Sequence, residues 1–247
     1  MSQHHWVVLH RLRFNTPIAA ATRTFPRPEG PDIWRFCPSQ VVGEDGLATF
    51  ESDVWGGMAV FGDEAEARAH LDAPDRLIPW LGEAEESWFA LAVPYAHHGS
   101  VHWRDGVETD SALRVSKARP EGPVAVVTSA GYASPPELGR VQTFIGGVDA
   151  ARAYYRGLDH NLRADVFNGG KVDGREGLTL TLWTDSKAMI GAAYRTGEHR
   201  SQMDVNEATS LFDRSSFSRF ILLDSRGSWD GDPFVAHPLA RAGQTRQ

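Results

Sequence analysis

The feature that most constrains this chain is a signature that occurs twice. Phe61-Gly62-Asp63-Glu64-Ala65-Glu66-Ala67 and Trp183-Thr184-Asp185-Ser186-Lys187-Ala188-Met189 share one layout: an aromatic ends a β-rich run and an aspartate follows two residues later. An aspartate so placed accepts hydrogen bonds from the free N–H groups of a first helical turn, so each segment reads as strand into capped helix. The two aspartates stand at positions 63 and 185, 122 residues apart, close to half of the 247-residue chain. A chain built this way is expected to hold two similar units.

The flanking patterns agree. In the first half, Trp6–Phe14, Ile33–Cys37, Val54–Phe61 and Trp88–Tyr95 are strand-like runs, with a helix over Glu64–Leu71. Pro17-Ile18-Ala19-Ala20-Ala21 reads as a short helix opened by proline, ended by Pro26, Pro28 and Pro31. Leu77–Glu86 reads as an extension of the helix or a turn around Pro79, and His97, His98, His102 and Trp103 as part of a loop. Pro120-Glu121-Gly122-Pro123 is the best linker in the chain. Beyond it come strands at Val124–Thr128, Leu162–Phe167, Leu178–Trp183 and Phe217–Asp224, with helices through Val148–Arg156 and from Asp185 towards Glu198. The tail from Ser225 reads as a surface wrap. The expected fold class is α+β: β-α-β-β-α-β twice, with residues 1–119 and 120–247 as the halves. Each half is a ferredoxin-like sheet with helices on one face, and two such sheets can join their open faces into an α+β barrel.

Charge and composition exclude several function classes. Twenty-five Lys and Arg against 32 Asp and Glu give a net charge of −7, which supplies no broad basic surface for nucleic acid. No run of 18 apolar residues is present to span a membrane, and the N-terminus has no signal-peptide pattern. The single cysteine, Cys37, permits no internal disulfide and reads as a buried thiol. A cytoplasmic location is the expectation.

Strong catalytic motifs are missing: there is no phosphate loop, no dinucleotide fingerprint, no nucleophile elbow and no zinc-protease helix. Asn168-Gly169-Gly170-Lys171 is glycine-rich but joins two strands, as a hairpin turn does. A metal held by His97, His98 and His102 would lack an obvious carboxylate to complete it. His199 differs, because Gly197 breaks or kinks the second capped helix just before it. Its neutral imidazole could face the barrel mouth and bind iron through Nε2, or it could bond a helix-end carbonyl or Glu198.

The ordered segments Ile33-Trp34-Arg35-Phe36-Cys37-Pro38-Ser39, Ala84-Glu85-Glu86-Ser87-Trp88-Phe89, Val166-Phe167-Asn168-Gly169-Gly170, Leu180–Met189, His199 and Phe217-Ser218-Arg219-Phe220 resemble the spheroidene monooxygenase family. That resemblance implies a dimeric α+β barrel that holds haem b and inserts oxygen into an apolar or small organic substrate. An electron-donor protein or peroxide would be the second reactant. It implies that His199 is the iron ligand. With haem bound, Trp34, Trp183 and Phe212 are candidate walls, as are Phe36, Trp88 and Trp103, with plain core as the alternative for each. Asn168, Lys171, Arg195 and Arg200 are candidate distal donors or propionate partners. Two rivals stay open: a haem-dependent lyase acting on an N–O bond, and a non-catalytic barrel for a small ligand.

Overall fold

The computed structural model describes residues 4–19, 29–43, 48–49, 51–78, 81–99, 113–131, 138–168, 176–194 and 214–233. Eight long strands form one antiparallel sheet: β1 (Trp6–Ala19), β2 (Ile33–Pro38), β5 (Glu51–Phe61), β6 (Ala84–Gly99), β7 (Val124–Gly131), β8 (Asn161–Asn168), β9 (Glu176–Trp183) and β10 (Arg214–Gly227). A two-stranded ribbon, β3 (Val41–Val42) with β4 (Ala48–Thr49), lies between β2 and β5 in the chain. Three helices follow strands: α1 (Glu64–Asp72), α2 (Leu138–Arg156) and α3 (Ser186–Tyr194).

The strand order is β2-β5-β1-β6-β10-β7-β9-β8. Taken from the middle outwards, each set of four has the same internal order: fourth, first, third, second. That is the ferredoxin-like arrangement, present twice and joined through β6 and β10. The outer edges meet as well. Ser39 bridges to Phe167, and the Gln40 N–H donates to the Val166 carbonyl at 2.7 Å, so the sheet curls into a barrel. Closing the sheet this way satisfies edge groups that would otherwise invite pairing with other chains.

Alternation along the strands then sorts the side chains. Val7, Leu9, Met58, Trp88, Leu180 and Phe220 face inward and fill the barrel with one apolar cluster drawn from both units. Val8, Leu12, Ala59, Phe61 and Leu91 face outward beneath Ala67 and Leu71 of α1. On the second unit, Val124, Ala164 and Trp183 face Tyr155 of α2 and Met189 of α3. The barrel interior is therefore a packed core, and the helix-facing side of each sheet carries a second, smaller one.

Both capped helices form as the sequence predicts. The Asp63 carboxylate accepts from the N–H groups of Ala65 at 2.8 Å and Glu66 at 3.3 Å. Asp185 accepts from Ala188 at 2.8 Å, and this bonding holds its carboxyl below the ordinary aspartate range. Asp63→Ala is expected to cost about 1 kcal/mol in urea unfolding, the usual loss for a removed cap.

Other local expectations change. Pro17–Ala19 continue β1 instead of opening a helix: Ile18 and Ala19 pair with Ser52 and Glu51 beyond an irregularity in the ladder, where a proline is tolerated. Ala20 and Ala21 lie outside the described residues. The stretch after α1 folds into two 3-10 turns, Pro74–Arg76 and Leu81–Glu83. His97 and His98 belong to β6, because pairing with Ser218 and Phe217 carries that strand further than its apolar run. The tail is not a surface wrap at its start, since Trp229 is fully buried in the barrel core. No helix among the described residues is long and apolar enough to cross a membrane.

Candidate functional site

The helix-facing side of the second unit presents a shallow floor. Across neighbouring strands, Phe217, Thr128, Thr179 and Val166 form one row in register. The next row along holds Ser215, Ala130, Gly177 and Asn168. Thr128, Ala130, Thr179 and Phe217 are only half-buried, although α2 and α3 lie on the same side of the sheet. The side chains at the centre of each row are small: Thr128 and Thr179 in one, Ala130 and Gly177 in the next. To one side Trp183 stands edge-on to Tyr155, with ring centroids 5.1 Å apart, and its Nε1 donates to the Thr181 hydroxyl at 2.9 Å. The Tyr95 hydroxyl lies 3.2 Å from that of Ser186, at the start of α3, and burial pushes its phenol up from the ordinary value.

A second polar centre closes one end of the barrel. Arg11, only 4% exposed, donates from Nη1 to Glu86 at 3.1 Å, from Nε to Asp165 at 2.9 Å and from Nη2 to Asp230 at 3.3 Å. Its guanidinium lies 5.0 Å from the centre of the Trp229 ring, and Trp229 packs on Trp88 with centroids 5.2 Å apart. Arg156 adds a 2.6 Å bond to Asp165. Burial alone would raise the Glu86 carboxyl. The Gly231 N–H, the Ser228 hydroxyl and Arg11 overcome that and hold it at about 2. The cluster ties Arg11 and Glu86 of the first unit to Asp165 and Asp230 of the second. Sequence reasoning missed it. The signal was present, because Arg11 follows Val7 and Leu9 on the inward face of β1, where a charge has to find partners.

The structure places five of the predicted site residues, of which Phe36 packs on the helix-facing side of the first unit and Trp88 inside the barrel. Trp183 is buried beside the floor, and Asn168 ends β8 opposite Gly177. Trp34 lies on β2 in the first unit, stacked 4.9 Å from His10, so it is not brought together with Trp183. Lys171, Arg195, His199, Arg200 and Phe212 lie outside the described residues, as do His102 and Trp103.

The described histidines do not converge on a metal. His97 and His98 are consecutive strand residues and so lie on opposite faces. Nδ1 of His97 lies 2.9 Å from the Ser218 hydroxyl, and burial lowers its pKa. Among the described residues no group of three or more histidine, cysteine or carboxylate side chains could hold a metal ion. Cys37 is buried in the barrel core.

The geometry agrees with solved structures of similar architecture. A crystal structure of an aldoxime dehydratase overlays on 90% of this chain and 83% of its own, with a TM-score of 0.52 at 11% identity. An aldoxime dehydratase in complex with butyraldoxime overlays on 90% and 81%, with a TM-score of 0.51 at 9% identity. These likenesses establish the fold, a dimeric α+β barrel type. No family model matches the chain. In sequence, the chain is 30% identical over 175 residues to a spheroidene monooxygenase of Rubrivivax gelatinosus, covering 70% of this chain and 62% of that one. It is 26% identical over 189 residues to the spheroidene monooxygenase of Rhodobacter capsulatus, covering 76% and 75%. The chain thus spans less than two thirds of the first relative and three quarters of the second. The chain is similar in sequence to two spheroidene monooxygenases and has the dimeric α+β barrel fold.

Proposed function

We propose that this protein is a haem-dependent monooxygenase acting on an apolar or small organic substrate, with haem b on the helix-facing side of its second unit. The observation that carries this reading is the sequence relation to two spheroidene monooxygenases across most of the chain. The floor around Thr128 and Thr179 supports it, because small half-buried side chains fit a flat ring system better than a filled core does. Bound haem would supply the oxygen-binding iron and its redox chemistry. The chain's own residues would do the rest. His199 would ligate the iron. Phe212 would wall the site, and Trp183, locked by Tyr155 and Thr181, would hold that wall rigid. Asn168, Lys171 and Arg195 would offer polar groups to the substrate side, and Arg200 a cation to a propionate. Residues 1–119 would serve as the scaffold half and 120–247 as the reactive half, in a homodimeric cytoplasmic protein.

The test is an absorption spectrum of protein produced with haem supplied, alongside His199→Ala. A Soret band in the parent, with haem content at least tenfold lower in the variant, is expected. A parent that never takes up haem removes the reading, leaving a barrel for some other small ligand. Turnover that needs neither an electron donor nor peroxide would replace oxygenation by a redox-neutral lyase reaction.

A further inference from the structure

The two units can be superposed strand by strand, and the comparison sets a buried histidine against the floor described above. Asp63 and Asp185 fix the register, so Phe61 corresponds to Trp183 and Gly57 to Thr179. Through the pairs Trp6 with Phe61 and Val124 with Trp183, His10 corresponds to Thr128. In the second unit the row reads Phe217, Thr128, Thr179, Val166. In the first it reads Phe89, His10, Gly57, Phe36. Both rows face the helices and both begin with phenylalanine, but their centres differ. The His10 ring is fully buried, with Trp34 at 4.9 Å, Phe36 at 5.5 Å and Phe89 at 6.3 Å between centroids. Its Nε2 is 2.9 Å from the Arg35 carbonyl oxygen. Gly57 lies beneath it: a Cβ there would stand 2.1 Å from the Arg35 carbonyl oxygen, which forbids a side chain, and 3.3 Å from His10 Nε2, a tight contact.

We propose that the first unit carries a second cleft for a flat heteroaromatic ligand, equivalent to the floor of the second unit, and that the imidazole of His10 fills it as an internal ligand. The chain therefore takes one flat cofactor and not two. His10 decides which unit stays closed, through its ring lying over a glycine where the other unit has threonine facing threonine. The part that concerns the cofactor rests on the haem reading above; the part that concerns the cleft does not.

The first measurement therefore uses imidazole alone as the probe. Removing the ring in His10→Ala leaves a buried space of imidazole's own shape, which His10→Thr (the residue of the second unit) partly refills. At ten times its Kd, imidazole is expected to raise the Tm of His10→Ala by about 3–6 °C, to raise that of His10→Thr less, and to leave the parent unchanged. A folded His10→Ala that gains no stability from imidazole would overturn the inference. The second measurement keeps His10 and transplants the row. Thr128→His with Thr179→Gly is expected to keep the parent's circular dichroism and to lose haem uptake at least tenfold. Parent-like uptake by that variant, or two equivalents of haem per chain in the parent, would also overturn it. A parent that binds no haem at all would defeat the proposed function, while the imidazole result would still decide whether the cleft exists.

Discussion

Replacing Arg11 by alanine is expected to destabilise the protein by about 3–5 kcal/mol, read from urea unfolding near pH 7. The cost arises less from the lost bonds than from what they leave behind. Glu86 and Asp165 are both under a tenth exposed, and each is bonded to the same guanidinium. With the cation removed, Asp165 keeps Arg156, and Glu86 keeps Arg13, Ser228 and Gly231, but the two buried carboxylates lose the charge they share. The trimmed variant also loses the ring contact with Trp229, which packs with Trp88 in the core. Arg11→Met combined with Glu86→Gln and Asp165→Asn removes the charges together and is expected to recover much of the loss. A single Arg11→Ala change costing under 1 kcal/mol would mean that water already reaches this cluster.

Mild acid should destabilise the protein before ordinary carboxylates are fully protonated. Burial holds His10 at about 4 against the ordinary 6.5. Burial and then the Arg114 charge hold His5 at about 4 as well, with its Nδ1 accepting the Arg114 N–H at 2.9 Å. A histidine whose folded pKa is depressed keeps its full contribution above pH 6.5 and loses it as pH falls through about 4, because the unfolded chain binds the proton more readily. Each is worth up to about 3 kcal/mol. Glu86 extends the loss in the same direction, its contribution present above the ordinary 4.5 and gone once pH passes below about 2. Two histidines alone approach the stability of an ordinary domain, about 5–15 kcal/mol. Unfolding free energies measured at pH 7.5, 5.5 and 4.5 should fall steadily, and the fall should be shallower in His10→Thr. A flat profile over that range would show that these imidazoles are not sealed from water.

The elements that were legible in the sequence are those governed by local rules. Asp63 and Asp185 declare helix starts by side-chain chemistry alone, and Leu178–Trp183 declares a strand by alternation. From those pieces the doubled unit and its barrel followed. The rest depends on partners distant in the chain. Pro17–Ala19 look helical until β5 pairs with them, and His97 and His98 look like loop until β10 does. Trp229 is in a Gly- and Asp-rich stretch that reads as tail, yet Arg163 bonds its carbonyl from another strand and draws it into the barrel end. The helix-facing floor was invisible for a similar reason. Thr128 and Thr179 are unremarkable in sequence and gain meaning only once the register sets them opposite each other.

A further consequence follows from carrying both halves of the barrel on one polypeptide. When a dyad relates two copies of a single short chain, every substitution appears on both sides of the axis. A residue that seals one flank would seal the other, and a strut across the barrel mouth would have to be its own mirror partner. Covalent fusion lifts that constraint. Arg11 can reach across to Asp165 with no reciprocal pair among the described residues, and histidine over glycine on one flank can coexist with paired threonines on the other. The tandem arrangement thus lets the two flanks diverge from one another, position by position.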